Sequence, residues 1–121
     1  FIFGLDAAGV EAAFRYGRKT PEQLCAEDER LRETVFSLGG GAFSSSGGAL
    51  MNYLLYGDGG MPDPYLCLTD FQSYAKTHAA LTALYENRTE WLKKEIINIS
   101  RSGFFSSDRS IAEYNQKIWG L

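Results

Sequence analysis

A mostly helical fold that opens on one short strand is what the sequence predicts, and three observations carry the prediction. Apolar residues recur at helical spacing along most of the chain, most regularly at Phe71, Tyr74, Ala75, His78, Leu81, Leu84 and Tyr85. Residues suited to starting helices stand ahead of such stretches, at Asp6, Thr20-Pro21, Asp70 and Ser106 or Ser107. Only Phe1-Ile2-Phe3 reads as a strand running into a glycine.

That apolar run has no starting Met, no positive flank and no cleavage-site pattern, so it is neither a signal peptide nor a membrane span. It reads as a chain beginning mid-strand, with the strands that would satisfy its N–H and C=O groups lying elsewhere. Asp6 caps a helix through about Tyr16, with Val10, Ala13 and Phe14 on its buried side and Gly17 at its end. Thr20-Pro21 with Glu22 and Gln23 starts another, and Leu31, Val35 and Leu38 continue the pattern past the acidic Glu27, Asp28 and Glu29. Two short helices or one bent helix satisfy that stretch. Gly39 to Gly48 is rich in Gly and Ser and predicts a surface loop, followed by a helix from about Ala49 to Tyr56. Gly57 to Pro64 predicts a second loop, and Tyr65 to Leu68 an extended stretch, before Asp70 caps the next helix. In the last third, Trp91, Leu92, Ile96 and Ile99 mark a helix that Gly103 stops in a left-handed C′ position. Ser106 or Ser107 caps the final helix, Asp108 complements its positive end, and Ile111, Tyr114, Ile118 and Trp119 form its apolar stripe.

The 121 residues make one domain's worth of chain, 45% hydrophobic and 22% charged, the composition of an ordinary globular protein. No apolar run approaches the ~20 residues of a membrane span. Twelve basic against fifteen acidic residues leave a net charge of −3, the wrong sign for a chain that binds by neutralising nucleic-acid phosphates. Cys25 and Cys67 have no metal-site spacing. A disulfide between them is open on counting alone; the reading adopted is free, buried thiols in a reducing, cytoplasmic setting. The triplets Asn87-Arg88-Thr89 and Asn98-Ile99-Ser100 match a glycosylation pattern by chance, since both fall in or beside a helix.

Each candidate for chemistry has a plainer reading. The Gly39 to Gly48 loop offers N–H groups to an anion, but no strand and Gly-Lys-Ser/Thr ending frame it as a phosphate loop, and no Gly-x-Gly-x-x-Gly unit is present. His78, the one histidine, lies between Tyr74 and Leu81 on an apolar face and is read as a packing residue. Ser106, Ser107, Asp108 and Arg109 resemble a nucleophile with helpers, yet capping and ion pairing account for them. Glu27, Asp28 and Glu29 read as a solvated helix turn rather than metal ligands. Trp91, Phe105, Tyr114 and Trp119 read as packing between two crossed helices rather than a sugar platform.

One larger pattern remains: Trp91, Asn98-Ile99, Ser102-Gly103, Phe105-Ser106-Ser107-Asp108-Arg109, Ile111-Ala112, Tyr114 and Ile118-Trp119-Gly120. In this order it resembles the C-terminal end of the α-glucan phosphorylases, the glycogen, starch and maltodextrin phosphorylase family. The resemblance extends upstream through Ala83-Leu84-Tyr85 with Asn87, Asp70 and Tyr74, and to Ile2-Phe3-Gly4, and is sparse from Arg15 to Pro64, where Leu38, Gly41 and Phe43-Ser44 match. It implies a parent enzyme that cleaves the terminal bond of an α-1,4-glucan with inorganic phosphate, releasing glucose 1-phosphate. Pyridoxal phosphate, carried on a lysine of a motif upstream of the matched region, is the implied cofactor. Lys19, Lys76, Lys93, Lys94 and Lys117 match no such motif, so no catalytic, cofactor-binding or metal residue is carried onto this chain.

The implied parent is a homodimer of two-domain subunits, a GT-B-like pair of Rossmann-like domains facing across a cleft. Residues 1–121 resemble the C-terminal portion of the second, cofactor-bearing domain, as a single supporting segment. Phe1 to Phe3 would join its parallel sheet, and the helix around Ile111 to Trp119 would cross toward the first domain. Animal members carry a regulatory purine pocket using a basic residue near the place of Gly59 to Tyr65; here Gly and Pro stand there instead, and the pocket is not carried over. The rival readings are an independent helical protein-interaction module and a small phosphate-binding enzyme using the Gly39 to Gly48 loop. Partners implied by the first reading are glucan, phosphate and the remainder of the polypeptide, with neither nucleic acid nor membrane.

Overall fold

The computed structural model describes residues 1–41, 43 and 45–120, with Ser45 described in its backbone only. It falls into two units, Phe1–His78 and Ala79–Leu121.

In the first unit, α1 (Ala7–Tyr16) starts as its sequence requires: the Asp6 carboxylate accepts the Gly9 N–H at 2.8 Å, satisfying one of the orphan donors of a helix start. Gly17 follows with φ 97°, backbone that only glycine adopts readily. Thr20 and Gln23 form a reciprocal capping box on α2 (Pro21–Glu27), with Pro21 in its first turn. The stretch is two helices rather than one bent helix, because Asp28, in extended backbone, ends α2 and caps α3 (Glu29–Gly39), its carboxylate accepting the Leu31 N–H at 3.0 Å.

α4 (Ser45–Tyr56) begins earlier than the expected Ala49, so Gly47 and Gly48 belong to a helix and not to the predicted loop. Gly40, Gly41 and Phe43 lie between the two helices, as the loop reading has it, and Ala42 and Ser44 lie outside the described residues. The glycines serve close packing: a Cβ on Gly47 would run into the Leu38 carbonyl, and one on Gly39 would lie 2.9 Å from the Met51 sulfur. α3 and α4 thus approach where side chains are missing. Cys25, Leu31, Val35, Leu55 and Leu68 form the core, with Leu24, Met51, Leu54 and Phe71 against it. Leu31 and Val35 are only 3% and 2% exposed, as the helical spacing of α3 predicts; Phe14, expected on the buried side of α1, is exposed beneath the Arg18 guanidinium, 5.3 Å from its ring centre.

Gly57 to Pro64 is the expected loop, with Gly57 and Gly59 at φ 71° and 72°. The next two expectations fail together. Tyr65 to Leu68 is not extended, because α5 (Cys67–Glu86) has already begun. Asp63 caps it, its two carboxylate oxygens accepting the N–H groups of Cys67 and Leu68. Asp70, the expected cap, sits inside the first turn and accepts the Leu5 N–H instead, at 3.1 Å. The expected strand at Phe1 to Phe3 is likewise absent, and there is no strand among the described residues. With no ladder to join, the segment lies along α5: the Gly4 N–H donates to the Ser73 hydroxyl at 3.0 Å, and the Phe3 ring meets Tyr74 edge-on at 5.1 Å.

In the second unit, Asn87 caps α6 (Arg88–Arg101) through the Glu90 N–H. Gly103 is not a left-handed stop; α6 instead tightens into a 3-10 turn, Ser102–Phe105, and Gly103 is not among the residues at positive φ. That turn supplies tighter bonds to the last carbonyls of α6, as helix ends often do. Ser106 is the cap of α7 (Ser107–Tyr114), accepting the Arg109 N–H, and a π-helical turn, Asn115–Trp119, closes on left-handed Gly120. Ile96, Ile99, Phe105, Ile111, Ile118 and Trp119 are each more than half exposed on this chain.

Candidate functional site

The strongest concentration of fixed polar geometry lies around Arg18 and Asp63 in the first unit. The Arg18 guanidinium donates to two successive carbonyls, those of Pro62 and Asp63, a match for its planar fork. Asp63 is 2% exposed and its carboxylate caps α5 at 2.8 and 2.9 Å. Burying a carboxylate is costly unless hydrogen bonds replace its water; two backbone N–H groups at the positive end of a helix do so here. Asp63 and Leu66 adopt left-handed backbone, with φ 44° and 58°, which lets the chain double back onto the helix start. Neither Arg18 nor Asp63 was singled out from the sequence. The Asp63-Pro64 pair was a legible turn signal, whereas the reach of Arg18 across more than forty residues has no local signature.

Clefts of ≈ 380 Å³ flank this arrangement. One is lined by Arg18, Lys19, Pro21, Leu55, Tyr56 and Met61 among others, the other by Leu24, Glu27, Asp28, Leu31, Leu68 and Gln72 among others. Their charged rims are already paired within the chain: Lys19 with Glu27 at 2.5 Å, Asp28 with the Leu31 N–H, and Arg18 with the loop carbonyls.

The residues weighed from the sequence are not brought together. Glu27, Asp28 and Glu29 separate into an ion pair with Lys19, a helix cap, and an ion pair with Arg32, and no group of metal-binding side chains occurs among the described residues. The Leu31 N–H holds the Asp28 carboxyl below the ordinary aspartate range. The Glu22 carboxyl is lowered by backbone hydrogen bonding in the first turn of α2 and by the Thr20 hydroxyl. His78 packs its ring 5.8 Å from Tyr74. Cys25 is buried and free, as expected; Cys67 is free but exposed, against expectation, because its place in the first turn of α5 turns it outward while Leu68 takes the core position. Desolvation raises both thiols, aided by Glu22 at Cys25 and by Asp63 at Cys67.

In the second unit, Arg109 is the node. It lies 4.1 Å over the Phe104 ring, donates to the Phe104 carbonyl and pairs with Glu113, which also meets Lys117 at 3.4 Å. Hydrogen bonds from Arg109 and then Lys117 hold the Glu113 carboxyl below its ordinary range. The ion-pairing reading of Arg109 thus holds, and Ser106 is a cap. The expected packing between helices holds in part: Tyr85 of α5 meets Trp91 of α6 at 5.0 Å, while Phe104 meets Phe105 at 5.3 Å and Tyr114 meets Trp119 at 6.0 Å. Each partner is a near neighbour in sequence, so these rings stiffen the α5–α6 junction and two local turns.

Lys19, Lys93 and Lys117 are ion-paired with Glu27, Glu90 and Glu113 at 57%, 62% and 71% side-chain exposure, and Lys76 and Lys94 are exposed. No described helix is long and apolar enough to cross a membrane.

A match to the family described as carbohydrate phosphorylase spans residues 1–121. The chain belongs to that family. It is 34% identical to a Bacillus subtilis protein named glycogen phosphorylase, covering all of this chain and 15% of that protein. It is 37% identical to the Homo sapiens brain form of glycogen phosphorylase, covering all of the chain and 14% of the relative. To maltodextrin phosphorylase of Streptococcus pneumoniae it is 34% identical, again over the whole chain and 16% of the relative. The chain therefore spans about one-seventh of the length of these relatives.

Proposed function

We propose that the protein carrying this chain is an α-1,4-glucan phosphorylase and that residues 1–121 are a supporting segment of its second, cofactor-bearing domain. The observation that carries the reading is the family match over the whole chain, joined by relatives named for glycogen and maltodextrin. In the proposed reaction a phosphate oxygen forms a bond to the terminal anomeric carbon as the bond to the glycosidic oxygen breaks. The oxygen left on the shortened glucan takes up a proton, and glucose 1-phosphate departs. Pyridoxal phosphate belongs to this reading as a cofactor held outside residues 1–121, because no lysine here has a suitable setting. Catalytic, cofactor-binding and metal residues are likewise assigned outside the segment. A Rossmann-like second domain, a homodimeric parent and a cytoplasmic setting complete the proposal. Fixing helices against one another is what such a segment contributes, since positioning of phosphate and sugar depends on a rigid frame.

The test is phosphorolysis. The full polypeptide, given maltodextrin and inorganic phosphate, is expected to release glucose 1-phosphate, and its absence under conditions that sustain a known phosphorylase overturns the assignment of function. Residues 1–121 expressed alone are expected to release none and to retain no pyridoxal absorbance after borohydride reduction and dialysis. Activity in that segment alone overturns the placing of the reactive groups.

A further inference from the structure

We propose that Arg18, Asp63 and the first turn of α5 form one mechanical linkage, in which fastening of the Gly57–Pro62 strap at Arg18 fixes the backbone at Gly4 and Leu5. This goes beyond the enzymatic reading and does not rest on it.

The links are continuous. Arg18 grips the strap at the carbonyls of Pro62 and Asp63. The Asp63 carbonyl also accepts the Leu66 N–H, while its carboxylate holds the N–H groups of Cys67 and Leu68. The turn so fixed presents Asp70 and, just beyond it, Ser73, which accept the N–H groups of Leu5 and Gly4. Gly4 is shaped to this contact twice over: its φ is 85°, and a Cβ would lie 2.8 Å from the Asp70 carboxyl carbon.

Two features make the arrangement a device rather than a chain of ordinary bonds. Left-handed backbone at non-glycine residues persists only where its surroundings hold it, and Asp63 and Leu66 both adopt it. Loss of the Arg18 grip favours relaxation of Asp63, which withdraws the acceptors from the start of α5 and frays the turn carrying Asp70. The opposite end of the strap has three glycines, Gly57, Gly59 and Gly60, so the loop swings with little resistance once unfastened. The state of the strap is thereby transmitted from the α1–α2 junction to Phe1–Leu5.

Hydrogen-exchange mass spectrometry on the full polypeptide tests the linkage, using Arg18→Gln, Arg18→Lys and Asp63→Asn. Peptides covering Cys67–Ser73 and Phe1–Leu5 are expected to exchange about tenfold faster in all three, a shift within the range of sub-global openings. Lys at position 18 is expected not to rescue, because a point charge cannot bridge two carbonyls as a fork does. The α3 peptide around Leu31–Val35 should keep its protection. Faster exchange at Cys67–Ser73 with Phe1–Leu5 unchanged overturns the proposal, since Asp63 would then be a local cap. Equal loss of protection at Leu31–Val35 overturns it as well, since Arg18 would then support the whole unit rather than this path.

Discussion

Gly47→Ala sets two effects of opposite sign against each other, and the structure decides between them. Alanine within a helix is favoured over glycine by about 1 kcal/mol, so propensity alone predicts a more stable protein. But the new methyl would run into the Leu38 carbonyl and stand 2.9 Å from the Phe43 Cβ. The nearest obstacle is backbone, which cannot swing away like the end of a flexible side chain, and overpacking of this kind costs about 1–3 kcal/mol. The net expectation is a loss of up to about 2 kcal/mol. Gly48→Ala is the matched control: it lies in the same helix with nothing within 4 Å of its Cβ, and should gain up to about 1 kcal/mol. Buried Cys25, a member of the core that α4 completes through Leu55, is the probe. In a Cys67→Ser background its alkylation reports opening of that core, provided reclosing outpaces labelling. Gly47→Ala should label faster than the parent, by up to about 30 times, and Gly48→Ala more slowly. Labelling of Gly47→Ala at or below the parental rate refutes the close-packing account and returns these glycines to the role of flexible spacers.

Leu31→Ala, at a position 3% exposed, should cost about 2–5 kcal/mol through lost burial and the cavity left behind, measurable by the same Cys25 labelling. The cap at Asp28 predicts an acid-side dependence. Its folded-state pKa is depressed by the Leu31 N–H, so its contribution is present above the unfolded value and is lost as the pH falls from about 4 through the lower folded value. Asp28→Asn should flatten that part of a stability–pH titration, and an unchanged acid limb would show that the cap does not act through its charge.

Most helices of the first unit were legible because their starts are written locally. Asp6, Thr20-Pro21 and the spacing of Leu31 and Val35 each act on residues within a turn or two, and each held. What failed depended on partners distant in sequence. Asp70 reads as a helix cap because it precedes an apolar run, yet its acceptor goes to Leu5, sixty-five residues away, and Asp63 takes the capping role from within a segment that reads as loop. The two ends of the Gly39 to Gly48 loop reading failed for a related reason. Glycine signals conformational freedom or close approach with the same letter, and only the position of Leu38 and Met51 across the helix pair separates the two. The strand at Phe1 to Phe3 shows the converse limit: an apolar run states a preference, but a strand needs a neighbour to pair with, and α5 takes that place through Ser73 and Asp70.

The same distinction explains why the second unit was identifiable and yet has so little to read as chemistry. From Asn87 to Gly120 the sequence pattern is dense, but these polar members bind within their own segment: Asn87 and Ser106 cap helices, and Arg109 binds the Phe104 carbonyl and the Glu113 carboxylate. Residues that close helix ends and corners constrain sequence as strongly as residues that meet a substrate, so a recognisable pattern is not by itself a site. A reactive group must direct its polar atoms outward, toward a space another molecule fills. At Arg109, Ser106 and Asp63 those atoms point inward, to groups a few residues along the chain. The physical content of the pattern is therefore a shape held in place, with large apolar side chains such as Ile96, Ile99, Phe105 and Ile118 left at its surface.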